Sequence, residues 1–173
     1  MRRISRRVWV AAAAALAGTM VLFSVGLANA APNAAVNEVV RLKSTSAGLC
    51  LAVSNGAPTL RACDFSNATE IWRLAPNANQ FALQNNLTNQ CLAGGAGSRV
   101  LMTSCNPNGV LAASQSWQSH LAGCTPRVGC RNIWQNGSTG QCLTASSTGV
   151  FHWACDRTIL AEQWSDLPAS PGP

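Results

Sequence analysis

Only two histidines occur in the chain, His120 and His152, and neither stands in a cluster with metal-ligand spacing. A catalytic zinc site needs several converging protein ligands, so that chemistry is not expected. His152-x-x-Cys155 has short spacing, but Cys155 belongs to a cysteine pattern described below. No Ser-His-Asp arrangement and no phosphate-cradling glycine loop is present either. Carboxylates are also scarce, at six Asp and Glu. Four of them, Asp64 with Asp156 and Glu70 with Glu162, fall at equivalent places in separate segments. A glycosidase pair needs two carboxyl groups within roughly 5–10 Å, which that separation argues against. Sustained apolar i, i+3, i+4, i+7 spacing is missing as well, because Gly, Asn and Pro interrupt every window. An enzyme reading and a helical-repeat reading both lose their footing.

Positive charge is concentrated at the start. MRRISRR carries four arginines, an apolar run follows from Val8 to about Ala28, and Ala28-Asn29-Ala30 closes it. A basic region, an apolar stretch and an A-x-A exit describe a secretory signal peptide over residues 1–30. The run is long enough to be an uncleaved anchor, but its Ala-rich, weakly apolar character and the exit site favour cleavage. Ser5-Arg6-Arg7 also resembles a twin-arginine signal; either export route leads to a secreted protein. Beyond residue 30, eight Lys and Arg face six Asp and Glu, a net charge of +2. No basic cluster survives there, so neither nucleic acid nor, after cleavage, a membrane is an expected partner.

All eight cysteines lie in this second part. An even count in an exported chain favours disulfides over metal, although spacing alone leaves on the order of a hundred pairings open. An internal repeat sorts them. GLCLAVSNGAPTLRACDFSNATEIW, NQCLAGGAGSRVLMTSCNPNGVLAASQSW and GQCLTASSTGVFHWACDRTILAEQW each contain Cys-Leu, a turn rich in Gly, Ser or Asn, a second Cys and a Trp. The cysteines are 13, 14 and 13 apart, and the tryptophans Trp72, Trp117 and Trp164 are 45 and 47 apart. Short strands broken by turns fit these windows, and three units without a distinct cap suggest a closed threefold object.

With Gln115-Ser116-Trp117, and Glu70 and Glu162 two before Trp72 and Trp164, the pattern resembles the ricin-type lectin repeat and its Gln-x-Trp signature. The resemblance spans residues 38–167 and implies an all-β fold, a β-trefoil of three pseudo-equivalent, disulfide-stapled lobes at about 38–76, 77–121 and 122–167. Residues 31–37 and 168–173 are expected to be flexible ends. The resemblance implies that Cys50–Cys63, Cys91–Cys105 and Cys142–Cys155 each staple a lobe, leaving Cys124 and Cys130 to pair. Trp72, Trp117 and Trp164 are expected in the core, with Trp134 as a large substitute for Leu42 and Leu83. His152, matching Leu60 and Met102, is expected to point inward. The Asn-x-Ser/Thr stretches at Asn67, Asn86 and Asn136 read as turns.

In that family a sugar pocket uses an Asp just after Cys-Leu, an aromatic two before the second Cys, and polar residues before the Trp. Here Ala52, Ala93 and Thr144 replace the Asp, and the aromatic position holds Arg61, Thr103 and Trp153. The third lobe alone keeps a stacking face. The expected site is therefore Trp153 with Thr144 and Glu162, binding a polysaccharide or glycan weakly, without catalysis or cofactor. The alternative is a secreted interaction protein such as a protease inhibitor, presenting Arg127 in CTPRVGC to a protein target.

Overall fold

The computed structural model describes residues 38–106, 111–126 and 129–170. The expectations for the leader, for residues 31–37, for Arg127 and for the last three residues lie outside this range. Lobe one contains β1 (Glu38–Ser44), β2 (Cys50–Ser54), β3 (Ala57–Arg61) and β4 (Trp72–Asn77). Lobe two contains β5 (Gln80–Asn85), β6 (Gln90–Gly94), β7 (Val100–Ser104) and β8 (Ser116–Thr125). Lobe three contains β9 (Gly129–Asn136), β10 (Cys142–Ser146), β11 (Gly149–Trp153) and β12 (Trp164–Pro168).

Antiparallel pairing runs β1–β4–β5–β8–β9–β12 and returns from β12 to β1, so six strands close a barrel without an open edge. The other six form the hairpins β2–β3, β6–β7 and β10–β11, which pack against one another. Each hairpin joins the barrel through its first cysteine, which pairs with the residue seven positions earlier: Lys43 with Cys50, Gln84 with Cys91, Gln135 with Cys142. The sequence repeat is thus a repeat of register. Turn chemistry agrees with it: β2 meets β3 through Asn55-Gly56, both at positive φ (51° and 72°), as a two-residue hairpin turn of matching twist requires.

The motif residues make the core. Leu42, Leu83 and Trp134 are equivalent and buried, as are Leu51, Leu92 and Leu143. Between them lie Trp72, Trp117 and Trp164, all fully enclosed. Their indole N–H groups donate to the carbonyls of Leu51, Leu92 and Leu143 at 2.8, 2.9 and 2.9 Å. Cys-Leu and the distant Trp are therefore one device: the leucine carbonyl satisfies the only polar atom that the tryptophan carries inward. His152 is buried where the other lobes have Leu60 and Met102, with Nδ1 3.4 Å from Thr139 Oγ1. Asn85 and Asn136, six before the first cysteines of their lobes, are buried braces for the following turns; Asn136 accepts from Thr139 N–H at 3.2 Å and donates to Ser114 O at 2.7 Å.

Four disulfides join Cys50–Cys63, Cys91–Cys105, Cys124–Cys130 and Cys142–Cys155. Each of the three repeat bridges, with sequence separations of 13, 14 and 13, contributes about 3 kcal/mol through the unfolded chain. Cys124–Cys130 lies at the tip of the β8–β9 hairpin, which is longer than its counterpart β4–β5 and carries a bulge between Leu121 and Gly123. Two boundaries shift from the expected ones. β8 runs on to Thr125, and Pro168 belongs to β12, paired with Val40. Ala169 is tied in too, because its carbonyl, like that of Pro168, accepts from the Arg41 guanidinium.

Candidate functional site

One hydrogen bond recurs in every lobe. The residue two before the core tryptophan accepts the backbone N–H that follows the second cysteine: Glu70 from Asp64 at 2.9 Å, Gln115 from Asn106 at 3.1 Å, Glu162 from Asp156 at 2.7 Å. This position therefore anchors the loop leaving the disulfide, and its amide or carboxylate is buried by doing so. In lobes one and three the next residue caps the loop. Asp64 Oδ1 accepts the hydroxyl and N–H of Ser66, and Asp156 Oδ1 those of Thr158. These bonds hold both aspartates below the usual carboxylate range, the hydroxyl contributing most.

On that common frame the lobes diverge. In lobe one Arg41 is fully buried in a strand position where the other lobes carry Ala82 and Ile133. Its guanidinium lies 3.9 Å from Glu70 Oε2, donates to Phe65 O at 2.6 Å and stacks 4.9 Å from the Phe65 ring. Arg61, at the stacking position, adds a 3.8 Å contact to Glu70 Oε1. Two cations thus flank the buried Glu70 of lobe one. In lobe two Thr103 takes the stacking position, and its hydroxyl is held by Gln115 Nε2 at 2.8 Å. Neither lobe has an aromatic residue at that position, and the exposed ring of lobe one, Phe65, carries the Arg41 guanidinium on its face.

Lobe three does. Trp153 is 57% exposed at the end of β11, directly opposite Cys142 of the disulfide. Strand alternation sends His152 inward and Trp153 outward. The two polar residues expected in the same pocket are both buried. Thr144 is only 5% exposed and its hydroxyl donates to Cys142 O at 2.9 Å. Glu162 is buried beneath the loop it anchors, and burial raises its pKa against the opposing effect of the Asp156 N–H bond. Both groups are engaged inside the lobe, and the 3-10 turn Leu160–Glu162 packs against β10. What surrounds the indole in sequence is the exposed run from Ala154 to Leu160, including Asp156, Ile159 and Leu160. Asp156 uses only Oδ1 for its turn, which leaves Oδ2 as an acceptor on an exposed, ionised side chain. In the sequence Asp156 stands out only as the repeat equivalent of Asp64. Its place three after the stacking position was the available signal.

A family model described as the ricin-type beta-trefoil lectin domain matches residues 38–164. No curated protein matches the chain. Among solved structures, the designed threefold-symmetric protein ThreeFoil superposes with a TM-score of 0.60 at 14% identity, covering 75% of this chain and 97% of its own. SeviL bound to asialo-GM1 saccharide gives a TM-score of 0.59 at 11% identity, covering 78% and 99%. The GlcNAcα1-4Gal releasing endo-β-galactosidase from Clostridium perfringens gives 0.62 at 14% identity, with 75% of this chain matching 32% of that longer one. At these identities the likeness is one of fold.

Proposed function

The chain belongs to the ricin-type β-trefoil lectin family, and from that premise we propose that it is a secreted, non-catalytic carbohydrate-binding protein whose working site is the third lobe. The observation that carries this reading is the exposed indole of Trp153 on a disulfide-stapled hairpin, against arginine and threonine at the equivalent positions. A sugar presents an apolar C–H face to the ring, and Asp156 Oδ2 accepts from its hydroxyls as a charge-assisted partner. Thr144 and Glu162 support the site from beneath rather than touching the sugar. A single shallow site without threefold avidity gives affinity near millimolar, about −4 kcal/mol. Export is supported by the leader sequence and by four disulfides.

Titrating wild type and Trp153→Ala against a glycan array tests the reading. Binding that disappears in the variant supports it, and binding that persists moves the site elsewhere. The second reading, an interaction protein or protease inhibitor, draws on the extended β8–β9 hairpin with Cys124–Cys130 at its tip. It takes precedence if no glycan binds and trypsin is inhibited.

A further inference from the structure

A cavity of about 350 Å³ opens where the three hairpin ends meet, with walls from all three lobes. Its asymmetry comes from lobe two. The β6–β7 connection takes five residues, Gly95 to Arg99, where β2–β3 and β10–β11 take two each. The longer turn is closed by Gly95 N–H donating to Arg99 O at 2.7 Å. Gly95 is needed there, since a Cβ would come within 3.1 Å of that same carbonyl and of a Leu101 methyl. The turn leans on lobe three rather than standing free: His152 N–H donates to Ser98 O at 3.0 Å, and Arg99 bridges to Phe151.

This arrangement puts Arg99 among the walls of a hollow whose apolar part is formed by Pro58, Val100, Met102, Val150 and Phe151. Arg99 is exposed, and among the described residues its side chain has no ion pair or hydrogen bond. None of the six acidic residues lines the cavity. A hollow with apolar side chains along part of its wall, polar groups along the rest and one unmatched cation favours a ligand with an apolar body and one negative end. The volume lies at the small end of the roughly 300–1,000 Å³ typical of small-molecule sites, so the body is short. Guanidinium suits a carboxylate through two parallel hydrogen bonds. We propose that this cavity on the pseudo-threefold axis is a second binding site, taking a medium-chain carboxylate with its chain against Val100, Met102 and Val150 and its head on Arg99.

The test uses the secreted protein with octanoate, 1-octanol and acetate, followed by titration calorimetry and by the Met102 methyl NMR signal. Octanoate is expected to saturate and to shift Met102. Octanol should bind roughly tenfold more weakly, the order a charge-assisted bond at an exposed arginine supports, and acetate should not bind measurably. Arg99→Gln should reduce octanoate to the level of octanol without changing the melting temperature, and Arg99→Lys should restore part of the difference. Trp153→Ala should leave octanoate binding unchanged, which separates this site from the glycan site. Equal binding of octanoate and octanol, full binding by Arg99→Gln, shifts at Trp153 instead of Met102, or no saturable binding would each overturn the proposal.

Discussion

Lobes one and three share a disulfide spacing, a buried glutamate two before the core tryptophan and a capping aspartate after the second cysteine. Yet in one the glutamate is flanked by Arg41 and Arg61, while the other ends in an exposed indole. The difference shows which parts of the repeat are architecture. Cys, Leu, Glu or Gln, and Trp recur because they close one hydrogen-bonded frame. The residues around that frame vary from lobe to lobe, from the buried Arg41 to the exposed Trp153.

The shared frame gives the largest expected effect. Trp72→Ala empties a fully buried site and leaves Leu51 O without its donor, so it should cost about 3–5 kcal/mol. Trp164→Ala should cost the same in the other lobe. Denaturant unfolding checks this; a large disparity would mean that the lobes are not energetically equivalent.

Next comes the charge that distinguishes lobe one. Arg41→Ile introduces the residue that lobe three has at Ile133, but strands Glu70 beside the lone, partly exposed Arg61. A loss of about 3 kcal/mol is expected, the usual result of removing one partner from a buried pair. Adding Glu70→Gln, which reproduces the Gln115 frame of lobe two, should recover most of it. If the double variant is no better than the single one, the ion pair is not what distinguishes the lobes.

Much of this frame was legible in the sequence because cysteines and tryptophans recur in register and nothing else imitates that pattern. Strand alternation also predicts the inward turn of His152. Arg41 was harder. A lone arginine between Val40 and Leu42 reads as the solvent side of a strand, and only the equivalent Ala82 and Ile133 hint that the position is enclosed. Thr144 and Glu162 were assigned to the pocket from position in the motif, whereas their surroundings depend on how the 3-10 turn packs on β10, which no local pattern encodes. The axial cavity was equally invisible, since it arises from a lobe-two turn reaching onto lobe three.

A smaller effect separates the lobes by pH. Asp166 follows Trp164 by two, where lobe one has the buried Leu74 and lobe two Ser119. Burial pushes its pKa up to about 6, partly offset by the Asn132 amide donating at 2.7 Å and reinforced by Glu38. A carboxyl whose folded pKa lies above its unfolded value stabilises the fold fully at low pH and loses that contribution as pH rises through about 6. Asp166→Asn should therefore stabilise the protein by about 1 kcal/mol at pH 8, with the gain fading below pH ~4. Melting curves across that window check the sign; a variant less stable than wild type at pH 8 would reverse it.

The outward residues should matter least for stability. Asp156→Asn keeps the Thr158 cap but removes the charge, so it should weaken glycan binding about tenfold and shift stability by less than about 0.5 kcal/mol. Asp64→Asn, at the same place in lobe one, should leave binding unchanged. Equal effects from both would deny the lobes their different roles.

Most direct is NMR of the indole N–H signals during saccharide titration. Among the described residues, Trp72, Trp117, Trp134 and Trp164 are buried and Trp153 is the one exposed tryptophan. The third-lobe account predicts that the Trp153 signal moves and saturates while the other four stay in place. Saturable binding that leaves Trp153 unmoved would contradict it.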